Sequence, residues 1–265
     1  SVRAFTSSLM KKIILFSLLA GVTTFSAAPF KFQSTDWPAW RGLHGNGHAL
    51  AAAGLPVKWG AEENVAWKVK LPGRGHSTPT IVGDRIYLAT AEAEKQKQSV
   101  LCLDKATGKV IWRTPVHSGK LLKGGNKHAS HASSSVVCDG EQLYVGFPND
   151  KKVFLTTLGM DGKVRWQKAV SDYVIHQGYG TSPMVYQNVV VAKADSKKIG
   201  GAVVGFDKRT GKELWRIARV RSKALIRFER PVRMGMRERK QGKIVNISST
   251  AGHETSGRPM YSTAK

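Results

Sequence analysis

Near the end of the 265-residue sequence, two side chains have the types and spacing for proton chemistry. Tyr261 and Lys265 stand four residues apart, and Ser248 and Ser249 lie about a dozen positions upstream. On a helix that spacing puts a phenol and an ammonium group on one face, which suits a proton donor. The other chemistry-bearing candidates are among the eight histidines. His128 and His131 form an H-x-x-H pair in "NKHASHASSS", beside Lys127 and with no carboxylate nearby, which leaves a metal site incomplete. No paired carboxylates, no G-x-S-x-G and no phosphate-binding glycine loop occur. No metal site is expected.

The elements that must position these residues come from an internal repeat. Its copies are "STPTIVGDRIYLAT…SVLCLDKATGKVIWRTPV" (77–116), "SSSVVCDGEQLYVGF…VFLTTLGMDGKVRWQKAV" (133–170) and "TSPMVYQNVVVAK…GAVVGFDKRTGKELWRIAR" (181–219). Each opens on Ser/Thr and small residues, then reads as strand, turn and strand. The turns fall at Gly83-Asp84, Asp139-Gly140 and Gln187-Asn188. A third strand, a D-x-x-T-G-like turn and a strand bearing tryptophan follow. Trp112, Trp166 and Trp215 are 54 and 49 residues apart, and Trp67 lies 45 before the first, marking the outer strand of another unit. Ile86, Leu88, Val100 and Leu103 sit in period-2 settings, and "ATGK" and "RTGK" supply a glycine able to take positive φ. Four short antiparallel strands in roughly 45 residues are what a propeller blade requires.

These segments, "LDKATGKVIW", "MDGKVRW" and "FDKRTGKELW", resemble the tryptophan-bearing repeats of β-propellers of the pyrroloquinoline-quinone (PQQ) type. That family includes quinoprotein dehydrogenases and the outer-membrane assembly propeller of the BamB type. The opening "DWPAWRGLHGNG" is similar to the start of secreted members, so the resemblance spans about residues 36–219. It implies a mainly β fold: an incomplete β-propeller of about three four-stranded blades plus part of another. It also implies that the tryptophans dock one blade on the next. The second copy departs from the pattern, with Gly159 where the aspartate would be. Asp104 and Asp207 read as turn-stabilising side chains rather than acids. His76, His131 and His176 precede the first strands of successive blades and could line the face where propellers bind ligands. An intact parent propeller could hold PQQ, but nothing here matches the calcium ligands or catalytic aspartate of a quinoprotein. No cofactor is expected for this chain, and its partner is an unidentified protein or small molecule on the propeller face.

After Arg219 the pattern changes. "VRSKALIRFERPVRMGMRERKQ" has no strand alternation, and "GKIVNISS" reads as a buried parallel strand. From about Arg230 to Lys265 the tail resembles short-chain dehydrogenases/reductases, on "NISSTAG" and the Y-x-x-x-K of "YSTAK". The resemblance implies a short α/β element with Ser249, Tyr261 and Lys265 in catalytic positions. Lys265 would lower the Tyr261 pKa and Ser249 would hydrogen-bond the same substrate oxygen. Ser249 is 12 residues before Tyr261, one short of the family's usual separation, while Ser248 has that separation in a different local alignment. The family's T-G-x-x-x-G-x-G turn, which cradles NAD(P), is absent, so the triad is expected to be inactive here. The chain thus reads as a propeller segment joined between about Arg219 and Arg230 to a reductase-like segment, residues 220–265 holding the basic junction and that segment, an aberrant fusion rather than a bifunctional enzyme.

Charge and termini complete the reading. Net charge is +24, and eleven Lys/Arg fall between Arg216 and Lys243 against Glu229 and Glu238. That basicity is read as solubilising rather than as a nucleic-acid footprint. From Met10, "MKKIILFSLLAGVTTFSAAPF" has the layout of a secretory signal peptide over residues 10–28, with residues 1–9 as upstream read-through. A secreted, periplasmic or envelope-bound protein with no membrane-spanning helix after cleavage is expected. Cys102 and Cys138 lie in apolar strand-like runs and suit small buried hydrophobes; whether they pair is left open. The leading expectation is a non-catalytic binding or scaffolding propeller. The alternatives are the N-terminal part of a quinoprotein-type dehydrogenase and, from the tail alone, a short-chain reductase.

Overall fold

A computed structural model describes residues 30–50, 54–196 and 198–219. The chain divides into two compact units at Lys31/Phe32, and everything below concerns the second. The signal-like segment, the basic junction and the reductase-like tail lie outside the described residues.

Among the described residues, twelve strands form three sheets, each a four-stranded antiparallel meander. The first is β1 (Thr80–Val82), β2 (Arg85–Glu92), β3 (Lys97–Asp104) and β4 (Val110–Ser118). The second is β5 (Val137–Cys138), β6 (Gln142–Asn149), β7 (Lys152–Gly159) and β8 (Val164–Asp172). The third is β9 (Met184–Tyr186), β10 (Val189–Ser196), β11 (Gly200–Asp207) and β12 (Glu213–Arg219). These are blades of an incomplete propeller, and the repeat predicted all three with their turns. The 45-residue unit forms one sheet because no connection within it is long enough for anything but a hairpin.

The turn before each outer strand is built from short-range side-chain bonds. Asp104 Oδ1 accepts from the Thr107 N–H (2.8 Å) and Oγ1–H (2.7 Å), and Asp207 does the same for Thr210 at 2.7 Å each. The donated hydrogen bonds hold both carboxyls below the usual carboxylate range. Blade two is one residue shorter between its third strand and its tryptophan, and Asp161 Oδ1 instead accepts the Lys163 N–H at 3.1 Å. All three turns close on a glycine at positive φ: Gly108 (71°), Gly162 (80°) and Gly211 (68°).

Strands β3 and β7 are buried along nearly their whole length: β7 belongs to the sheet between the other two, while β3 faces blade two through Val100 and Cys102 and packs with Trp67 and Leu71 through Leu101 and Leu103. The period-2 pattern expected around Val100 and Leu103 therefore does not separate a wet face from a dry one. One apolar cluster joins blades one and two through Tyr87, Val100, Cys102, Leu143, Val145 and Phe147. Another joins blades two and three through Tyr144, Leu155, Trp166, Val190, Val204 and Phe206. Both cysteines are free and buried, and burial pushes the thiols up to about 11 (Cys102) and about 12 (Cys138).

An N-terminal strap ties the first two blades. Asp36, 5% exposed, accepts the Gly83 N–H at 2.9 Å through Oδ1 and the Gln33 N–H at 2.7 Å through Oδ2. Trp37 bridges Ile81, and the Pro38 carbonyl accepts the Cys138 N–H at 2.8 Å.

Candidate functional site

Contacts between blades repeat in register, and they define the two ends of the molecule. At the turn end, each tryptophan reaches the turn of the following blade. Trp67 Nε1–H donates to the Lys105 carbonyl (2.9 Å), Trp112 to Met160 (3.2 Å) and Trp166 to Lys208 (3.0 Å). Each indole lies over the turn glycine. A Cβ on Gly162 would meet Trp112 at 2.7 Å, one on Gly211 would meet Trp166 at 2.7 Å, and Gly108 is covered in the same way by Trp67. Glycine is thus required twice over, by φ and by the ring above it. Residues 64–72 form no strand, yet Trp67 docks like its counterparts. Trp215, on the last strand of the described residues, is 39% exposed.

At the opposite end, the loops entering the blades converge. The Ser135 Oγ accepts the Thr78 N–H at 3.0 Å, and the Ser182 Oγ accepts the Ser135 N–H at 3.0 Å. Register makes these three positions equivalent, since Thr80 pairs with Tyr87, Val137 with Tyr144 and Met184 with Val191. A serine-rich ladder therefore runs across the blade entries. Sequence reasoning noted the small Ser/Thr residues that open each repeat but gave them no role; "STP", "SSS" and "TSP" were the signal. Replacing Ser135, 2% exposed, with alanine strands the half-buried backbone N–H of Thr78. It is expected to destabilise the protein by about 1–2 kcal/mol in urea titrations, with an unchanged denaturant slope.

Around the ladder, the Arg74 guanidinium donates to the His128 carbonyl (2.8 Å), and the His76 N–H donates to the Ala132 carbonyl (3.0 Å). The Asn126 amide donates to Gln177 Oε1 (3.0 Å). Beneath them lies a buried amide network. Gln98, fully buried, donates to the His131 and Pro148 carbonyls (2.8 and 3.1 Å) and accepts from Asn149 at 3.2 Å.

The histidines do not share a position. Counted from the ladder, His76, His131 and His176 lie two, four and six residues before their ladder residue. His76 and His131 flank the seam between blades one and two. The His131 Nδ1 is buried without a hydrogen-bond partner, and burial lowers its pKa. His128 and His176 are exposed. No group of three or more His, Cys, Asp or Glu side chains that could hold a metal ion occurs among the described residues. Ser249, Tyr261 and Lys265 lie outside them.

Sequence reasoning missed two buried features. Asp139 in the turn of blade two accepts from the Tyr144 hydroxyl (2.9 Å) and from Lys208 of blade three (2.8 Å). His117, on the outer strand of blade one, packs against Phe147 and Phe154 at ring-centroid distances of 6.1 and 5.2 Å. The sequence marked Asp139 only as a turn residue and His117 not at all, because the Lys208 cation and the Phe147 and Phe154 rings each come from the following blade.

The family model described as outer membrane protein assembly factor BamB matches residues 41–174 and, in a second overlapping match, residues 96–262. The second match runs through the segment that resembles a reductase. Among curated proteins, BamB of Burkholderia pseudomallei (strain K96243) is 29% identical over 143 residues, 54% of this chain and 30% of the relative. A polyvinylalcohol dehydrogenase from a Pseudomonas species is 23% identical over 201 residues, 71% of this chain and 30% of the relative. This chain spans under a third of either one's length. Among solved structures, a quinohemoprotein alcohol dehydrogenase from Pseudomonas putida is 22% identical, with a TM-score of 0.40 over 57% of this chain and 22% of that one. BamB from Moraxella catarrhalis is 15% identical, with a TM-score of 0.36 over 57% and 41%.

Proposed function

This chain belongs to the family described as outer membrane protein assembly factor BamB, and on that premise we propose that it is a binding or scaffolding propeller segment of the bacterial cell envelope. It carries out no reaction itself. The observation that carries this reading is how polar groups are used where the loops converge. Ser135, Ser182, Gln98 and Asn149 all bond neighbouring blades or loops, and that work builds a rigid platform rather than an open reactive centre. The ligand is a protein met in outer-membrane protein assembly, the role printed for the BamB relatives. The signal-like segment at residues 10–28 fits delivery across the inner membrane, and no helix among the described residues is long and apolar enough to cross one.

The dehydrogenase relative favours a second reading, in which the chain is part of a PQQ-dependent enzyme. Titration with PQQ and calcium, followed by tryptophan fluorescence, separates the two. Photo-cross-linkers at exposed Lys109 and Lys168 in intact cells provide the complementary readout. Scaffolding predicts no saturable quenching and cross-links to outer-membrane assembly proteins. Saturable PQQ quenching without such cross-links would replace it with the enzyme reading. On either reading Ser249, Tyr261 and Lys265 take no part in turnover.

A further inference from the structure

The two ends of the sheets differ in charge in a way the net charge conceals. At the turn end, carboxylates accompany the basic residues: Asp104 in residues 104–109, Asp161 in 159–163 and Asp207 in 207–212. At the other end, the loops entering the three blades (72–79, 119–136 and 173–183) contain no Asp or Glu at all. They carry Arg74, Lys120, Lys123 and Lys127 together with four of the eight histidines. Lys123 and Lys127 are exposed and belong to no ion pair among the described residues. The neighbouring hairpin tips are mixed: exposed Lys97 in blade one and Lys151 in blade two stand beside exposed Glu94, Glu92, which pairs with Lys95 and Arg113, and Asp150. Loop residue Lys120 pairs with Asp150 at 2.9 Å.

From this asymmetry we infer that the loop end of the blades docks on an anionic phospholipid surface. The charge is spread over separate tips of successive blades rather than gathered in one cleft, which matches a plane of headgroups better than a single bound molecule. The cations are mostly lysines, which act as point charges and need no fixed partner geometry. The Ser135–Ser182 ladder and the Gln98–Asn149 network hold the loops in place, so their charges stay together without a ligand. At the tip of blade three, Ile199, 51% exposed, offers an apolar contact at the same end. The inference goes beyond the assembly reading and does not depend on it.

The test is co-sedimentation of the full chain with vesicles of phosphatidylcholine alone or with phosphatidylglycerol added, at low and high salt. A K97E/K123E/K127E variant is compared with K109E/K163E/K212E, which reverses three exposed lysines at the turn end. At about 1 kcal/mol per basic residue at an anionic surface, the loop-end variant is expected to lose about a hundredfold in affinity for the phosphatidylglycerol vesicles. The turn-end variant should lose threefold or less, and high salt should erase binding in all. The basic segment after Arg219 is identical in every protein, so it cancels in the comparison. Equal losses in the two variants would overturn the inference. So would binding to soluble polyglutamate, weakened in the loop-end variant, without vesicle binding; that result would make the surface one for acidic polypeptides. Unchanged thermal melting of both variants confirms that folding is not what is being read.

Discussion

Replacing Trp166 with alanine is expected to destabilise the protein by about 3–5 kcal/mol, the range for removing a buried tryptophan from a packed core. Three contributions are lost together. The side chain is 9% exposed within the cluster joining blades two and three. Its Nε1–H bond to the Lys208 carbonyl, at 3.0 Å, disappears. The indole's contacts with Gly211 and Phe206 leave a cavity that the β-sheets, pinned by their own ladders, collapse into poorly. Because folded domains are stable by only about 5–15 kcal/mol, this single change removes a large part of the total. Trp166→Phe keeps most of the apolar volume and should cost much less. The informative control is Trp215→Ala. It removes the same residue type from the same place in the repeat, but that indole is 39% exposed and has no following blade to bond among the described residues. Urea denaturation of all three variants decides the matter: equal losses at Trp166 and Trp215 would show that the tryptophans stabilise their own blades and not the seam.

The second large effect is a loss of stability as pH falls from about 6.5 toward 4, arising at His117. Burial against Phe147 and Phe154 lowers its pKa from 6.5 to about 4. Its polar neighbour, the Gln167 amide, is held by Thr156 at 2.7 Å and carries no charge to favour the imidazolium. Between these two pH values the unfolded chain binds a proton that the native chain refuses, so acid favours unfolding. Full stability is present above pH 6.5, and the loss is complete below pH 4. Its ceiling is about 3 kcal/mol, because each pH unit between the two values is worth about 1.4 kcal/mol. His131, lowered by burial in the same direction, adds a smaller slope of the same sign. His117→Phe places a ring among rings and should flatten most of the dependence while leaving stability at pH 7.5 nearly unchanged. If the slope between pH 6.5 and 4 persists undiminished in that variant, His117 is not its source; Asp139, held below the usual carboxylate range by Lys208 despite burial, loses its contribution only below about pH 4 and cannot supply it.

Much of the fold was legible in residue spacing, since its signals are local. A blade is a meander of hairpins. The residues that set each turn, such as Asp104 with Thr107 and Asp207 with Thr210, are three apart in the chain. The regular return of Trp112, Trp166 and Trp215 gave the size of the unit and the number of complete sheets. Even the irregular turn of blade two was foreshadowed by Gly159, although the substitute cap, Asp161, was not foreseen.

The candidate site was far less legible. The histidines drew notice by type and by their place before strands, yet register puts them at three different depths relative to the ladder. The residues that organise that end, Ser135, Ser182 and Gln98, are common polar types; only the recurring "STP", "SSS" and "TSP" marked the serines, and nothing marked Gln98. Their partners lie 57, 47 and 50 residues away, about one repeat in each case. His117 looked like any strand residue until the next blade covered it. The sequence by itself determined the blade, because hairpin pairing, turn chemistry and strand burial are decided within about 45 residues. What only the tertiary structure decided is how one blade engages the next: which carbonyl each tryptophan meets, which N–H each serine accepts, and which histidine is kept from water. Those contacts form only when a whole repeat has folded and been laid against its neighbour.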